Sequence, residues 1–282
     1  MKLSTPVQCG KYPFEVGLGN RIMLLGSCFS DELGSVMERS GMQCCVNPFG
    51  TLYNPVSLFR ALERIQGGCH FTEADCVQMG SGSQLVCSFS HHTSFARPRA
   101  EEFLLAANEA LDRAGEFWRS CDTLIVTTGT SWVWEHSGKV VANCLKRDAR
   151  EFVHRPLSPE EVGSALKGIL ALAGGRRVIW TVSPIRHLWN GAHSNSLSKA
   201  TLLLATDQVC NSPRSVYFPA FEIMLDELRD YRFYGEDMTH PTATAVGCVW
   251  ERFCEAFVPA GELETMARNR KASRLAAHRP LH

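Results

Sequence analysis

Ser27 and Cys28, two potential nucleophiles side by side near the start of the chain, are separated by about two hundred residues from Asp237 and His240, which stand three apart near its end. The chemistry this would allow is acyl transfer. An imidazole takes the proton of a hydroxyl or thiol, and a carboxylate holds the ring in the right tautomer. In a short loop leading into a helix, an Asp-x-x-His spacing lets both side chains turn to the same side. A serine or cysteine at the start of a helix also meets unpaired backbone N–H groups, which stabilise a thiolate or an anionic intermediate. The structural alternative is that Ser27 merely caps a helix and Cys28 is a small buried residue.

The elements that must position these residues follow from the hydrophobic pattern. Arg21-Ile-Met-Leu-Leu-Gly26 reads as a buried strand that stops at a glycine. Leu33, Val36 and Met37 then recur at helical spacing opposite Asp31, Glu32, Glu38 and Arg39. Further strands are expected near 43–46, 123–128, 176–182 and 215–218, and helices near 29–40, 56–65, 100–116, 158–173, 194–208 and 242–256. Ser158-Pro-Glu-Glu161 is a helix-start signal with serine as cap, and Gly174-Gly175 is a stop. The alternation predicts an α/β fold, a five-stranded, mainly parallel sheet covered by helices on both faces as a three-layer sandwich. Residues 76–92 and 132–143, with Gly82 and Gly138 near their turns, read as small hairpins inserted over the active face.

Several motifs in order resemble the GSCFA domain family, which is grouped with the SGNH, or GDSL-like, hydrolases. Gly26-Ser-Cys-Phe-Ser30 is similar to the motif that names the family, whose members end it in Ala. The resemblance continues through Asn47-Pro-Phe-Gly-Thr-Leu-Tyr-Asn-Pro55, Thr128-Gly-Thr-Ser-Trp-Val-Trp134, Val141-Ala-Asn-Cys144, Val182-Ser-Pro-Ile-Arg-His187 and Tyr231 to Pro241. It implies a flavodoxin-like SGNH fold and a hydrolase or acyltransferase acting on an ester, such as an O-acyl group of a carbohydrate or small metabolite. SGNH enzymes carry their serine in a Gly-Asp-Ser turn, and that register puts Cys28 in the nucleophile's place and Ser27 in that of the Asp. The same plan implies an oxyanion donor at Gly50. It also implies an Asn after the third strand, where this chain has Gly129-Thr130-Ser131, so that Thr130, Ser131 or Asn143 would have to substitute. The alternatives are a catalytically silent binding domain and a thiol-based sensor built on Cys28.

Other residues carry weaker signals. Arg186 and His187 follow the fourth strand and could bind a substrate anion, position the catalytic loop, or pair with a carboxylate for purely structural reasons. Trp132, Trp134 and Trp189 flank these motifs and could line an acyl pocket or stack on sugars, as well as simply pack. His91-His92 lack a partner at zinc-like spacing and read as surface histidines, while Cys44-Cys45 read as core residues facing opposite ways. No metal or cofactor is expected.

The 282 residues balance 29 Lys and Arg against 29 Asp and Glu, which gives no bias toward nucleic acid or an anionic membrane. The expected partner is a small-molecule or carbohydrate ester. Twelve cysteines scattered through a large chain without a Cys-x-x-Cys pair, after an N-terminus lacking an apolar core, fit free thiols in the cytoplasm. No apolar run is long enough to cross a membrane. Residues 1–260 are expected to form one domain. Residues 261–282, with Arg268, Arg270, Lys271, Arg274 and Arg279 and no acid from Arg268 onward, are expected to form a basic disordered tail.

Overall fold

The computed structural model describes residues 5–277. Strand β1 (Arg21–Gly26), helix α1 (Cys28–Arg39), strand β2 (Gln43–Val46) and helix α2 (Pro55–Gly67) form the first two strand–helix units. A short hairpin of β3 (Val77–Gln78) and β4 (Val86–Cys87) leads to α3 (Ala100–Ser120) and β5 (Thr123–Thr128). Three antiparallel strands, β6 (Trp132–His136), β7 (Lys139–Val141) and β8 (Phe152–Pro156), precede α4 (Pro159–Ala173), β9 (Arg177–Val182), α5 (Gly191–Asp207) and β10 (Ser215–Tyr217). The chain continues through α6 (Ala220–Glu222), a π-helical turn at Ile223–Glu227, α7 (Ala243–Phe257) and α8 (Leu263–Ala277).

The five long-range strands pair in the order β10-β9-β5-β1-β2, and every pairing is parallel. Side chains alternate across this sheet, as a period of two requires. Met23, Leu25, Leu124, Val126, Val178 and Trp180 join one core with residues of α2, α3, α4 and α5. Ile22, Leu24, Ile125 and Ile179 join the other with residues of α1, α7 and α8. The result is the three-layer sandwich expected from the sequence, with an entirely parallel sheet. Counted along the chain, its strand order is 2-1-3-4-5, so the winding reverses between β1 and β5. In doubly wound sheets the crevice at the carboxyl ends of those two strands binds ligands.

The helix signals behave as their chemistry requires. Ser158 and Glu161 exchange bonds at the start of α4, the backbone N–H of Ser158 donating to Glu161 Oε2 at 2.8 Å and the N–H of Glu161 to Ser158 Oγ at 3.2 Å. Cys44 and Cys45 are half-buried and pack into opposite cores.

Two expectations are corrected. The 132–143 hairpin is part of a three-stranded sheet, because β8 pairs along the other side of β6. That strand, Phe-Val-His-Arg-Pro, carries two basic-type side chains and a terminal proline, so its alternation is faint in sequence. The basic tail is helix α8 across Leu263–Ala277; only 278–282 lie outside the described residues. Met266 is buried against the second core, and Asn269 Nδ2 donates to Ser40 O at 2.9 Å, satisfying a carbonyl at the end of α1. Burial of a single methionine and a capping amide outweigh the basic composition.

Candidate active site

Strand β1 ends at Gly26 because the neighbouring strand comes too close for a side chain: a Cβ there would lie 2.4 Å from Thr127 O and 2.6 Å from Ser30 Oγ. The next two residues divide the roles. Ser27 is the N-cap of α1; its Oγ accepts the Phe29 N–H at 3.3 Å and donates to Ser183 Oγ at 3.0 Å, and the side chain is fully buried. Cys28 opens the helix and is half-buried, its Sγ 3.3 Å from Tyr53 Oη. As the first helical residue it has a backbone N–H with no partner among the described residues. Burial, followed by the contact with Cys28, pushes the Tyr53 phenol up to about 12, so Tyr53 stays protonated and able to donate to a thiolate.

Asp237 and His240 form a pair in the loop before α7. Asp237 Oδ2 lies 2.5 Å from His240 Nδ1, and Oδ1 accepts the backbone N–H groups of Thr239 and His240, each at 2.9 Å. These bonds, the backbone N–H of His240 foremost, pull the carboxyl down to about 2. A carboxylate at Nδ1 assigns the proton to that nitrogen and leaves Nε2 as the acceptor. Met238, between the two, takes a left-handed φ of 54°, a conformation that persists only where its surroundings hold it. The loop after β9 does the holding: the Arg186 backbone N–H donates to Thr239 O at 3.2 Å and its guanidinium to Met238 O at 3.0 Å. Arg186 thus bonds this loop rather than a carboxylate among the described residues.

His187, the next residue, is neutral. Burial first, then the charges of Lys199 and His240, push its imidazole down to about 3, and its Nε2 is buried without a partner. Its ring meets Tyr53 edge-on at 5.6 Å.

Tyr53, Asn54, Thr130, His187 and His240 line a cleft of about 350 Å³ whose far wall is built from Trp132, Trp134 and His154 of the three-stranded sheet and from Trp189. Cys28 does not line it; the thiol stands one side chain behind, against Tyr53. No hydrogen bond among the described residues joins His240 to Cys28 or Ser27. The turns are linked instead through the β9 loop, since Ser183 accepts from Ser27 and Arg186 holds the Asp237–His240 loop.

The expected oxyanion donors mostly have other work. The Gly50 N–H donates to Asn47 O at 2.7 Å, and a Cβ at Gly50 would meet that of His92 at 2.4 Å, so this glycine closes a turn beneath a packed loop. Thr130 N–H donates to Tyr53 O at 3.1 Å, and Thr130 Oγ1 and the Ser131 N–H both bond Ser198 Oγ, at 3.0 and 2.7 Å. Asn143 Oδ1 accepts the Leu145 N–H at 2.8 Å, the turn role rather than the site role, and the residue does not line the cleft. The amides that do are Asn54 and Asn190. Asn54 Oδ1 caps α2 by accepting the Ser57 N–H at 2.9 Å, while its Nδ2 makes no hydrogen bond among the described residues.

Tyr53, Asn54 and Lys199 were not singled out by sequence. Tyr53 and Asn54 lie within a motif that carries the family resemblance, but nothing in Leu-Tyr-Asn-Pro shows which way those side chains turn. Lys199 is fully buried with no carboxylate partner among the described residues; its Nζ donates to Gly129 O and Ser183 O, each at 2.7 Å, tying together the carboxyl ends of β5 and β9. Burial pulls the amine down to about 7.

His91 corrects the expectation of surface histidines. It is fully buried among Phe71, Phe95, Phe49 and Phe103, at centroid distances of 4.5, 4.7, 5.0 and 5.3 Å, with Nδ1 2.7 Å from Ser88 Oγ. Among the described residues no three His, Cys, Asp or Glu gather as metal ligands, and no helix is long and apolar enough to cross a membrane.

No curated protein sequence matches the chain. A family model matches residues 21–253, from the first residue of β1 into the last turns of α7, and so takes in the Gly-Ser-Cys turn, the Tyr53 loop, the β9 loop and the Asp237–His240 pair together. By this match the chain belongs to the GSCFA family.

Proposed function

We propose that the chain is an SGNH-type hydrolase or acyltransferase that works through a covalent acyl-enzyme on Cys28. The observation that carries the reading is the contrast within the Gly-Ser-Cys turn: the hydroxyl of Ser27 is buried and bonded on both sides, while the thiol of Cys28 is half-buried at a helix start beside a phenol on the cleft wall. His240 Nε2 takes the thiol proton, Sγ adds to the ester carbonyl, and the carbonyl electrons move to oxygen. Collapse expels the alcohol, which leaves with the proton from His240, and water or another acceptor releases the acyl group from sulfur. Tyr53 donates to the thiolate before attack. The Cys28 N–H and Asn54 Nδ2 are the donors offered to the oxyanion. The reading requires His240 Nε2 to come within hydrogen-bonding reach of the thiol when substrate binds.

Turnover of p-nitrophenyl acetate by single variants tests the assignment. Cys28→Ala is expected to abolish it, and His240→Ala to lower it by roughly 10²-fold to 10⁴-fold. Ser27→Ala retaining no activity while Cys28→Ala turns over normally would refute it. A second reading, a binding domain without catalysis, draws on the absence of Cys28 from the cleft lining. It requires that no variant of Cys28 or His240 alters ester turnover.

A further inference from the structure

The wall of the cleft facing His240 is the least ordinary surface on the molecule. On β6 the side chains alternate: Val133 is 1% exposed in the main core, while Trp132 and Trp134 turn the other way and remain half-buried. Trp134 pairs in register with His154 of β8, and their rings stack at 4.0 Å and 18°. Trp132 lies 4.8 Å from the same imidazole. Trp189, from the loop after β9, stands edge-on to Trp134 at 5.9 Å and is 84% exposed. Trp189 thus extends the aromatic face of Trp132, Trp134 and His154 into water, and a ligand seated on that face would cover its apolar surface.

The charge of the cleft narrows that ligand. No Asp, Glu or Lys lines it. Its single guanidinium, on Arg186, is committed to Met238 O and lies over the Tyr234 ring at 5.4 Å. Burial keeps both His154 and His187 toward the neutral form. A phosphate or carboxylate would meet no cationic group there beyond the Arg186 guanidinium that holds Met238 O and the imidazole paired with Asp237, and an ammonium would meet no carboxylate on the lining. What remains is a neutral ligand with flat apolar faces for the indoles and hydroxyl edges for Asn54, Asn190 and Thr239.

We propose that this cleft binds a neutral pyranose, its C–H face against Trp189 and Trp134 and its hydroxyls toward the amide side chains. The inference deepens the reading above by naming the alcohol part of the ester as a sugar, and it relies on that reading only for the ester, not for the binding.

The test is a tryptophan-fluorescence titration of the full-length protein with xylobiose, cellobiose and N,N′-diacetylchitobiose, beside AMP as a planar anion and phenyl acetate as an aromatic ester. Saturable binding of at least one disaccharide is expected, weakened about tenfold or more by Trp189→Ala and less by Trp134→Phe. Trp189 is exposed enough that its removal leaves the fold intact. The proposal is overturned if no disaccharide saturates, if AMP or phenyl acetate binds as tightly as the best sugar, or if Trp189→Ala binds unchanged. Acetate release from acetylated xylobiose separates the two claims. Sugar binding without release sustains this proposal and removes the catalytic one, whereas p-nitrophenyl acetate turnover without sugar binding does the reverse.

Discussion

One phenol sets the surroundings of the Cys28 thiol. Tyr53 Oη lies within hydrogen-bonding range of both Cys28 Sγ and Thr51 Oγ1, at 3.3 and 3.2 Å, so its proton can serve the sulfur while Thr51 fixes the ring. Removing that donor by Tyr53→Phe is expected to slow the alkylation of Cys28 several-fold at a fixed pH. Peptide-resolved iodoacetamide rates would show it; an unchanged rate would mean that Tyr53 only packs. Ser27→Ala is expected to act differently, lowering stability by about 1 kcal/mol through loss of a helix cap, seen as a lower urea midpoint. The residue types at both ends of this site were readable in sequence, as was the Asp237–His240 bond. The burial that separates Ser27 from Cys28 depends on Ser183, which follows strand β9 and lies 156 residues away in sequence. Spacing reports which backbone groups are near a turn, and only the fold reports which are already bonded, as the Gly50 N–H is to Asn47 O and the Leu145 N–H to Asn143 Oδ1.

Among the elements, the β9 loop has the central part. Arg186 holds Met238 and Thr239 from outside, and Met238 keeps a left-handed backbone between the acid and the base. Arg186→Met is therefore expected to lower ester turnover about tenfold or more by loosening His240, with the urea midpoint little changed. Equal losses of activity and stability would instead assign it a structural role. The helix caps and the five buried strands were legible because each is written in a few adjacent residues. Strand β8 and helix α8 were not, since each owes its place to partners elsewhere: β6 in one case, and α1 with the second core in the other. Met266, 1% exposed, is the contact that anchors α8. Its change to Ala is expected to cost roughly 2–5 kcal/mol, measurable by urea unfolding.

For the whole molecule, the reversal of winding between β1 and β5 explains how residues so far apart in sequence come to one edge. The turn after β1, the Tyr53 loop after β2 and the loops after β5 and β9 all end at that edge, and α7 begins beside it. Lys199 ties two of these ends together from within, and its buried amine has a consequence for the entire fold. The amine's pKa is about 7 in the folded chain, against about 10.4 for an unfolded lysine. Between those values the unfolded chain binds more protons, so this group makes stability rise with pH, by up to about 1.4 kcal/mol per unit. Unfolding free energies of the wild type relative to Lys199→Met should therefore grow from pH 7 to 10; a difference independent of pH would contradict the assignment.

The most direct test of the central claim is to trap the acyl-enzyme: brief exposure to p-nitrophenyl acetate, acid quench, and mass spectrometry of the peptides. The acetyl group is expected on Cys28, appearing far more slowly in His240→Ala. An acetyl group on Ser27, or labelling of Cys28 no faster than that of the exposed Cys69, would contradict it.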